Sequence, residues 1–281
     1  MASADITEVR VCYTAGVATP KKTKPEPAPS EPSPTEEIQT NLADAAYHHI
    51  LSQILRGTLT MGAEISRREV AASLNMSVLP VSEALQRLEQ EMLVESGRRI
   101  GTRVRVPTPQ DIRGFCTVRE ALETQSARLF NERARSTERQ QLKDAAARLD
   151  VLYEEIADYP ERFPEERLHE LRLEHKQFHL AIARGAACPY LEHQVEKNLN
   201  LVFSSFYDRL FGDRRLPYQW HQTLASALCE NSLEAADKAA RHHVKHHLEE
   251  IMYRLEPFFT LNRDQIAVSM QNGKHGKAPG R

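Results

Sequence analysis

Residues 61–106 constrain this chain more than any other stretch: MGAEISRREVAASLNMSVLPVSEALQRLEQEMLVESGRRIGTRVRV. Ser66 followed three positions later by Glu69 is a capping-box pattern, in which each side chain satisfies an orphan backbone donor at a helix start. The short helix it opens carries Val70, Leu74 and Met76, and Asn75 marks a turn. A second helix follows from Pro80, with Val81, Ala84, Leu85 and Leu88 on one stripe at helical spacing. Leu93-Val94 and Thr102–Val106 then flank Ser96-Gly97-Arg98-Arg99-Ile100-Gly101, a hairpin with a basic tip. Two helices joined by a tight turn and followed by a hairpin describe a winged helix-turn-helix. Its second helix enters the DNA major groove and its wing lies against the phosphates. The competing structural explanation is a small helical subdomain packed on a neighbour.

The same residues resemble the DNA-binding domain of GntR-family transcription regulators. That family's usual run is close to PGxxLxExxLAxxLxVSRxPVREALxxLxxxGLV, followed by a glycine in the wing. Gly62, Ile65, Glu69, Leu74, Ser77, Pro80, Val81, Glu83, Ala84, Leu85, Leu88, Leu93, Val94 and Gly101 stand in register with it. Two departures fall at the start of the recognition helix, where the family carries arginine and this chain has Val78 and Ser82. A guanidinium fork fits phosphate and guanine bidentately, so these losses alter what the helix can read. Leu79 stands where a threonine often caps that helix. Residues 41–106 hold eight arginines, no lysine and seven acidic residues, a net charge near +1, which is a thin electrostatic footprint for a DNA binder. The resemblance implies DNA contacts from Arg67, Arg68, Ser77, Ser82, Arg87, Arg98, Arg99 and Arg103, and an operator unlike the family's common one.

A chain of 281 residues has room for two domains and a tail. The expected division is a disordered arm over 1–40, the winged helix over 41–107, an all-helical domain over 108–258 and a tail over 259–281. PKKTKPEPAPSEPSPTE at 20–36 holds six prolines and too little apolar surface to fold. No apolar run approaches membrane-spanning length, and the first 20 residues lack the apolar core of a secretory signal. Cys12, Cys116, Cys188 and Cys229 show no CxxC spacing and read as reduced thiols of a cytoplasmic protein.

From Thr108 onward Gly and Pro are rare and fall at breaks: Pro160, Pro164, Gly185 with Pro189, Gly212, Pro217 and Pro257. Val118, Leu122, Ala127 and Leu129, then Leu142, Ala146, Leu149 and Leu152, recur at helical spacing. Six helices are predicted, over 109–133, 136–157, 164–185, 189–212, 217–230 and 233–256. The fold class is mostly α: an N-terminal winged helix-turn-helix followed by an all-α bundle.

Nine of the twelve histidines lie between 169 and 247. His175 and His179 are four apart on one helix, so their rings share a face. With histidines from other helices such a pair can enclose a transition metal, since neutral imidazole suits Zn, Ni, Cu or Fe. A run such as His242-His243 with His246-His247 is equally a solvated helix face.

Residues 109–255 resemble the helical ligand-binding (FCD) domain of the FadR subgroup of the same family. Arg119-x-x-Leu122-Glu123 matches its first-helix RxxLE, and HKQFHLAIARGAACPYL matches DxxFHxxIxxASxNPxL. His221, Ala227, Ala236 and His243 fit its last motif, with the two histidines 22 apart. The resemblance implies a divalent metal that holds a small carboxylate effector. The implied ligands are His179, His221 and His243, with His175 in the place of the usual Asp and Cys188 in the place of the usual Asn. Such an all-nitrogen set favours Zn or Ni; the alternatives are that His175 swings away, leaving three ligands, or that His247 replaces His243. Arg119 either clamps the effector carboxylate or pairs with Glu123 on the same helix face. Tyr207, Arg209 and Arg214 are further candidate pocket groups.

The expected function is therefore a DNA-binding transcription regulator, not an enzyme. As a homodimer it addresses a palindromic operator on double-stranded DNA and responds to a small carboxylate. Two other readings stay open. One is a regulator-derived protein that has lost specific DNA binding and acts through protein contacts. The other is a helical metalloenzyme or dioxygen-binding bundle, for which Glu170 and Glu174 would have to supply bridging carboxylates.

Overall fold

The computed structural model describes residues 34–98, 101–158, 164–202 and 216–255. Among them are nine helices and one two-stranded hairpin, a mostly α protein as the periodicity predicts. Helix α1, Pro34–Arg56, begins inside the stretch expected to be a disordered arm. Ala46, Tyr47, Ile50, Leu51 and Ile54 lie along its buried face, one or two per turn, and this stripe packs it onto the winged helix.

Helix α2 is Arg67–Ser73, and its N-cap Ser66 accepts a hydrogen bond from the Glu69 N–H at 3.3 Å. Asn75 makes the turn with φ 51, a left-handed conformation that asparagine tolerates through its short polar side chain. Helix α3, Val78–Gln90, begins two residues before the predicted Pro80, because Ser77 rather than position 79 is the N-cap. Its buried stripe is Pro80, Val81, Ala84, Leu85 and Leu88. Strands β1, Val94–Gly97, and β2, Gly101–Val104, pair antiparallel with Val94 opposite Val104 and Gly97 opposite Gly101. Gly101 takes φ 63 to enter β2.

The bundle opens at α4, Pro109–Arg133. Thr108 and Asp111 form a reciprocal capping box, and Pro109 occupies the first turn, where its missing N–H costs nothing. Helices α5, Ser136–Ala157, and α6, Glu165–Gly185, follow the predicted spans to within a residue. Helix α7 is Pro189–Val202; the rest of the predicted 189–212 segment lies outside the described residues. Helices α8, Trp220–Cys229, and α9, Leu233–Leu255, complete the domain. Helix α9 packs on α4 and α8, α5 packs on α6 and α8, and α7 packs on α4 and α6. Phe130, Leu142, Leu149, Phe178, Leu224 and Leu228 form the shared apolar core. Tight packing is visible at Gly185, where a Cβ would stand 2.5 Å from the Phe130 ring.

The two halves touch. Leu201 of α7 packs against the winged-helix core, Lys197 reaches Glu91 at 3.5 Å, and Arg172 of α6 lies 3.5 Å from the Leu55 carbonyl at the end of α1.

Candidate metal centre and nucleic-acid interface

Four helices bring polar groups to one point inside an otherwise apolar bundle. Helix α6 contributes His175 and His179, α8 contributes His221 from its first turn, and α9 contributes His243. All four rings are buried, and Arg119 and Glu123 from α4 are buried beside them. His175, His221 and His243 each offer a ring nitrogen within 4.8 Å of the other two. His179, also expected as a ligand, stands next to this group, its Nε2 3.0 Å from His175 Nε2.

What sets His179 apart is Arg119. Its Nη2 lies 3.0 Å from His179 Nε2, and a guanidinium can only donate, so Nε2 is the accepting nitrogen and the ring proton sits on Nδ1. Nδ1 faces Glu123 Oε2 at 2.9 Å, and Glu123 Oε1 accepts from Arg119 Nε at 2.6 Å. Burial alone would raise the Glu123 pKa, but the Arg119 charge and the His179 contact outweigh it, holding the carboxyl at about 2. Burial lowers the His179 pKa, with Arg119 in the same direction, and so favours the neutral ring. The sequence left Arg119 between an effector clamp and an ion pair with Glu123, and that ion pair is present.

His221 is held in one tautomer by a residue that sequence reasoning missed. Asp150 of α5 accepts from His221 Nδ1 at 2.6 Å, so its Nε2 carries the lone pair. The same carboxylate accepts from the His221 and Gln222 backbone N–H groups at 2.9 and 3.0 Å. It thereby caps α8 from another helix, where the N-cap Gln219 makes no side-chain cap bond. Tyr153, one turn along α5, places its hydroxyl 2.8 Å from His175 Nδ1 and stacks on the His221 ring. With His179 Nε2 accepting, His175 Nε2 donates in their 3.0 Å contact, so the Tyr153 hydroxyl donates to His175 Nδ1. Trp220 stacks on His243 at 5.1 Å. No spacing rule links Asp150 or Tyr153 to the histidines; only their one-turn separation on a common face was visible.

A metal ion fits this donor set. Three neutral-capable imidazoles converge, and one of them has its outer nitrogen fixed by a carboxylate, the arrangement that orients histidine ligands in metal sites. The His247 side chain, the rival ligand, lies outside the described residues, as do Tyr207, Arg209 and Arg214. Beside the cluster is a cleft of about 280 Å³ lined by Asp150, Tyr153, Glu154, Asp158 and Tyr218. Cys188 is half-buried, and Cys116, Cys188 and Cys229 are free thiols.

The expected DNA-facing residues divide into two groups. Arg68 and Arg98 are exposed, and Arg67 is exposed while donating to Thr102 Oγ1 at 3.0 Å, which ties α2 to the wing. Ser77 is exposed at the N-cap of α3 with its hydroxyl making no cap bond. Ser82 turns its hydroxyl back onto the Val78 carbonyl at 2.9 Å. Arg87 and Arg103, by contrast, are neutralised within the domain. Arg87 bonds Asp44 at 2.9 Å and lies 3.8 Å over the Tyr47 ring, and Arg103 pairs with Glu95 at 2.8 Å. Arg99 lies outside the described residues.

Two families match the chain one after the other. The family described as bacterial regulatory proteins, gntR family, matches residues 42–104, and the FCD domain matches residues 115–246. A protein of Paenarthrobacter nicotinovorans named "Probable D-xylose utilization operon transcriptional repressor" is 36% identical over 91 residues, 32% of this chain and 40% of that protein's length. A GntR transcriptional regulator from Rhodococcus sp. RHA1 has a similar structure, with a TM-score of 0.61 at 22% identity, over 76% of this chain and 98% of the other. E. coli McbR/YncC matches with the same TM-score and coverage at 18% identity. These two structures speak to the fold alone.

Proposed function

Because the chain belongs to the GntR family of bacterial regulatory proteins and carries an FCD domain behind its winged helix, we propose that it is a DNA-binding transcription regulator whose helical domain senses a small carboxylate through a bound divalent metal. The family is one of transcription regulators, not enzymes. In this reading the winged helix spans 41–107, the sensor spans 108–258, and the protein acts in the cytoplasm as a homodimer on a palindromic operator.

The observation that carries the metal assignment is the convergence of His175, His221 and His243 with His221 Nδ1 held by Asp150. These three residues hold the ion, and His179 is held one step back by Arg119 and Glu123. All-imidazole ligation favours Zn or Ni over Mn. When bound, the metal supplies a Lewis-acidic position for a carboxylate oxygen. Arg119 would bring a guanidinium to the second oxygen by exchanging His179 for the effector while keeping Glu123. The route to DNA starts on α6, where Arg172 sits one turn before His175 and meets the end of α1 at the Leu55 carbonyl. A shift of α6 on effector binding thus moves the winged helix, a coupling between two sites.

Elemental analysis of protein purified without chelator tests the first step. About one zinc or nickel per chain is expected, lost in His221→Ala and His243→Ala. Absence of metal, with no rise in melting temperature on adding zinc or nickel, would overturn the assignment. Fluorescence anisotropy on a duplex selected from random sequences by the full-length protein, with a panel of mono-, di- and tricarboxylates, tests the second. A carboxylate that stabilises the protein without changing DNA affinity would remove the switching step. The neutralised Arg87 and Arg103 favour a second reading, a regulator that has lost specific DNA binding. Failure of any duplex sequence to be enriched would select that reading.

A further inference from the structure

The side of α3 that faces away from the winged-helix core carries an unusual set of side chains. Val78 and Leu79, its first two residues, are 43% and 56% exposed. Ser82 and Gln86 follow Leu79 at three and seven residues, on the same side of the helix. The one cation of α3, Arg87, is turned toward Asp44 and Tyr47 of α1. In a helix-turn-helix the N-terminal residues of this second helix are the ones that meet base edges. Here that position holds two apolar side chains and no guanidinium.

The chemistry of the groove narrows what such a surface can read. Guanine offers N7 and O6 acceptors, which call for an arginine or lysine that α3 does not present. The one apolar feature on the major-groove floor is the thymine C5-methyl group, and Gln86 has the amide geometry that pairs with adenine N6 and N7. Phosphate contacts, which position without specifying, remain available from exposed Arg67, Arg68 and Arg98 around the helix. Val78 and Leu79 are thus exposed apolar side chains on the helix that meets base edges, in a domain whose α2 and wing present exposed arginines.

We propose that α3 reads thymine C5-methyl groups through Val78 and Leu79, so that the operator half-site is built on T·A pairs rather than guanines. This rests on the DNA-binding reading above and adds the base class recognised.

The experiment begins with selection of random-sequence duplexes on the full-length protein at about 50 and about 150 mM salt, which brackets the phosphate contribution. The best duplex is then remade with deoxyuridine for thymine at each position, removing the methyl and leaving the hydrogen-bonding edges intact. At one or more positions per half-site, binding weakens about fourfold for each methyl lost. The double variant Val78→Ala, Leu79→Ala binds the thymine and deoxyuridine duplexes equally, with unchanged melting temperature because both side chains are exposed. A guanine-based motif indifferent to deoxyuridine would overturn this inference and leave the regulator reading intact, as would thymine discrimination that survives in the double variant. A change of oligomeric mass in that variant, with thymine discrimination unaltered, would assign the apolar patch to a second copy of the chain. No enrichment at either salt would overturn both readings.

Discussion

Replacing Asp150 by alanine tests how the helical domain is held together. The carboxylate accepts from the His221 ring at 2.6 Å, from the His221 and Gln222 backbone N–H groups at 2.9 and 3.0 Å, and from the Gln222 side chain at 3.2 Å. Burial raises its pKa, but the His221 ring and the two backbone donors outweigh burial and hold it below the ordinary value. The hydrogen bonds therefore exceed the desolvation cost, and deleting them is not compensated by relieving it. Loss of the α8 cap costs about 1 kcal/mol. Stranding the buried His221 N–H adds about 2 kcal/mol, within the range for hydrogen bonds to charged groups. Together these make a loss of about 3 kcal/mol. At roughly 2–4 °C per kcal/mol for a chain of this size, the melting temperature falls by about 6–12 °C. Metal affinity drops by about 10–100-fold, since the group orienting one ligand is gone. Circular dichroism melts with and without zinc give both quantities. Asp150→Asn, which keeps one oxygen toward His221 but sets an NH₂ against the Gln222 N–H, falls between. A variant melting within about 2 °C of the parent would show that the carboxylate neither caps α8 nor positions His221.

Other consequences are read the same way. Gly185→Ala drives a Cβ to 2.5 Å from the buried Phe130 ring, and an overpacking cost of about 1–3 kcal/mol should appear in denaturant melts; an unchanged midpoint would mean that α4 and α6 separate freely. Arg87→Ala leaves DNA affinity within about twofold because its charge is already matched by Asp44, whereas Arg68→Ala with Arg98→Ala reduces the salt slope by about two. The reverse ranking in a salt titration would place Arg87 on the phosphates. Burial opposes ionisation of Asp111, but its bonds to Thr108 and the charge of Arg105 prevail and lower its pKa below the ordinary 3.8. Its contribution to stability is therefore present above that value and lost as pH falls through the lowered one. Asp111→Asn should therefore lower stability most at neutral pH and flatten the acid limb, the difference from the parent closing as pH falls through the lowered value in acid-denaturation melts.

The periodic features of this protein were legible because they are local. Capping residues and prolines set α4, α5 and α6 to within a residue, and the stripe Val81, Ala84, Leu85 and Leu88 lies on the buried side of α3 as its spacing requires. The start of α3 was misplaced by two residues because Pro80 was read as the opening, although Ser77 is a stronger N-cap. The neutralisation of Arg103 was also within reach. A hairpin centred on the tip places Glu95 opposite it, and cross-strand pairs of opposite charge interact. That of Arg87 was not, since Asp44 is 43 residues away on a helix the sequence reading did not assign. The site divides on the same line. Histidines at i,i+4 and 22 residues apart announce themselves, but Asp150 and Tyr153 act across helix contacts whose register no spacing encodes. The sequence names His175, His179, His221 and His243 as one set, but not that Arg119 and Glu123, four residues apart on another helix, stand against both nitrogens of His179 while His175, His221 and His243 bring ring nitrogens within 4.8 Å of one another. Which groups stand behind each imidazole is decided by the tertiary packing, and no spacing in the sequence records it.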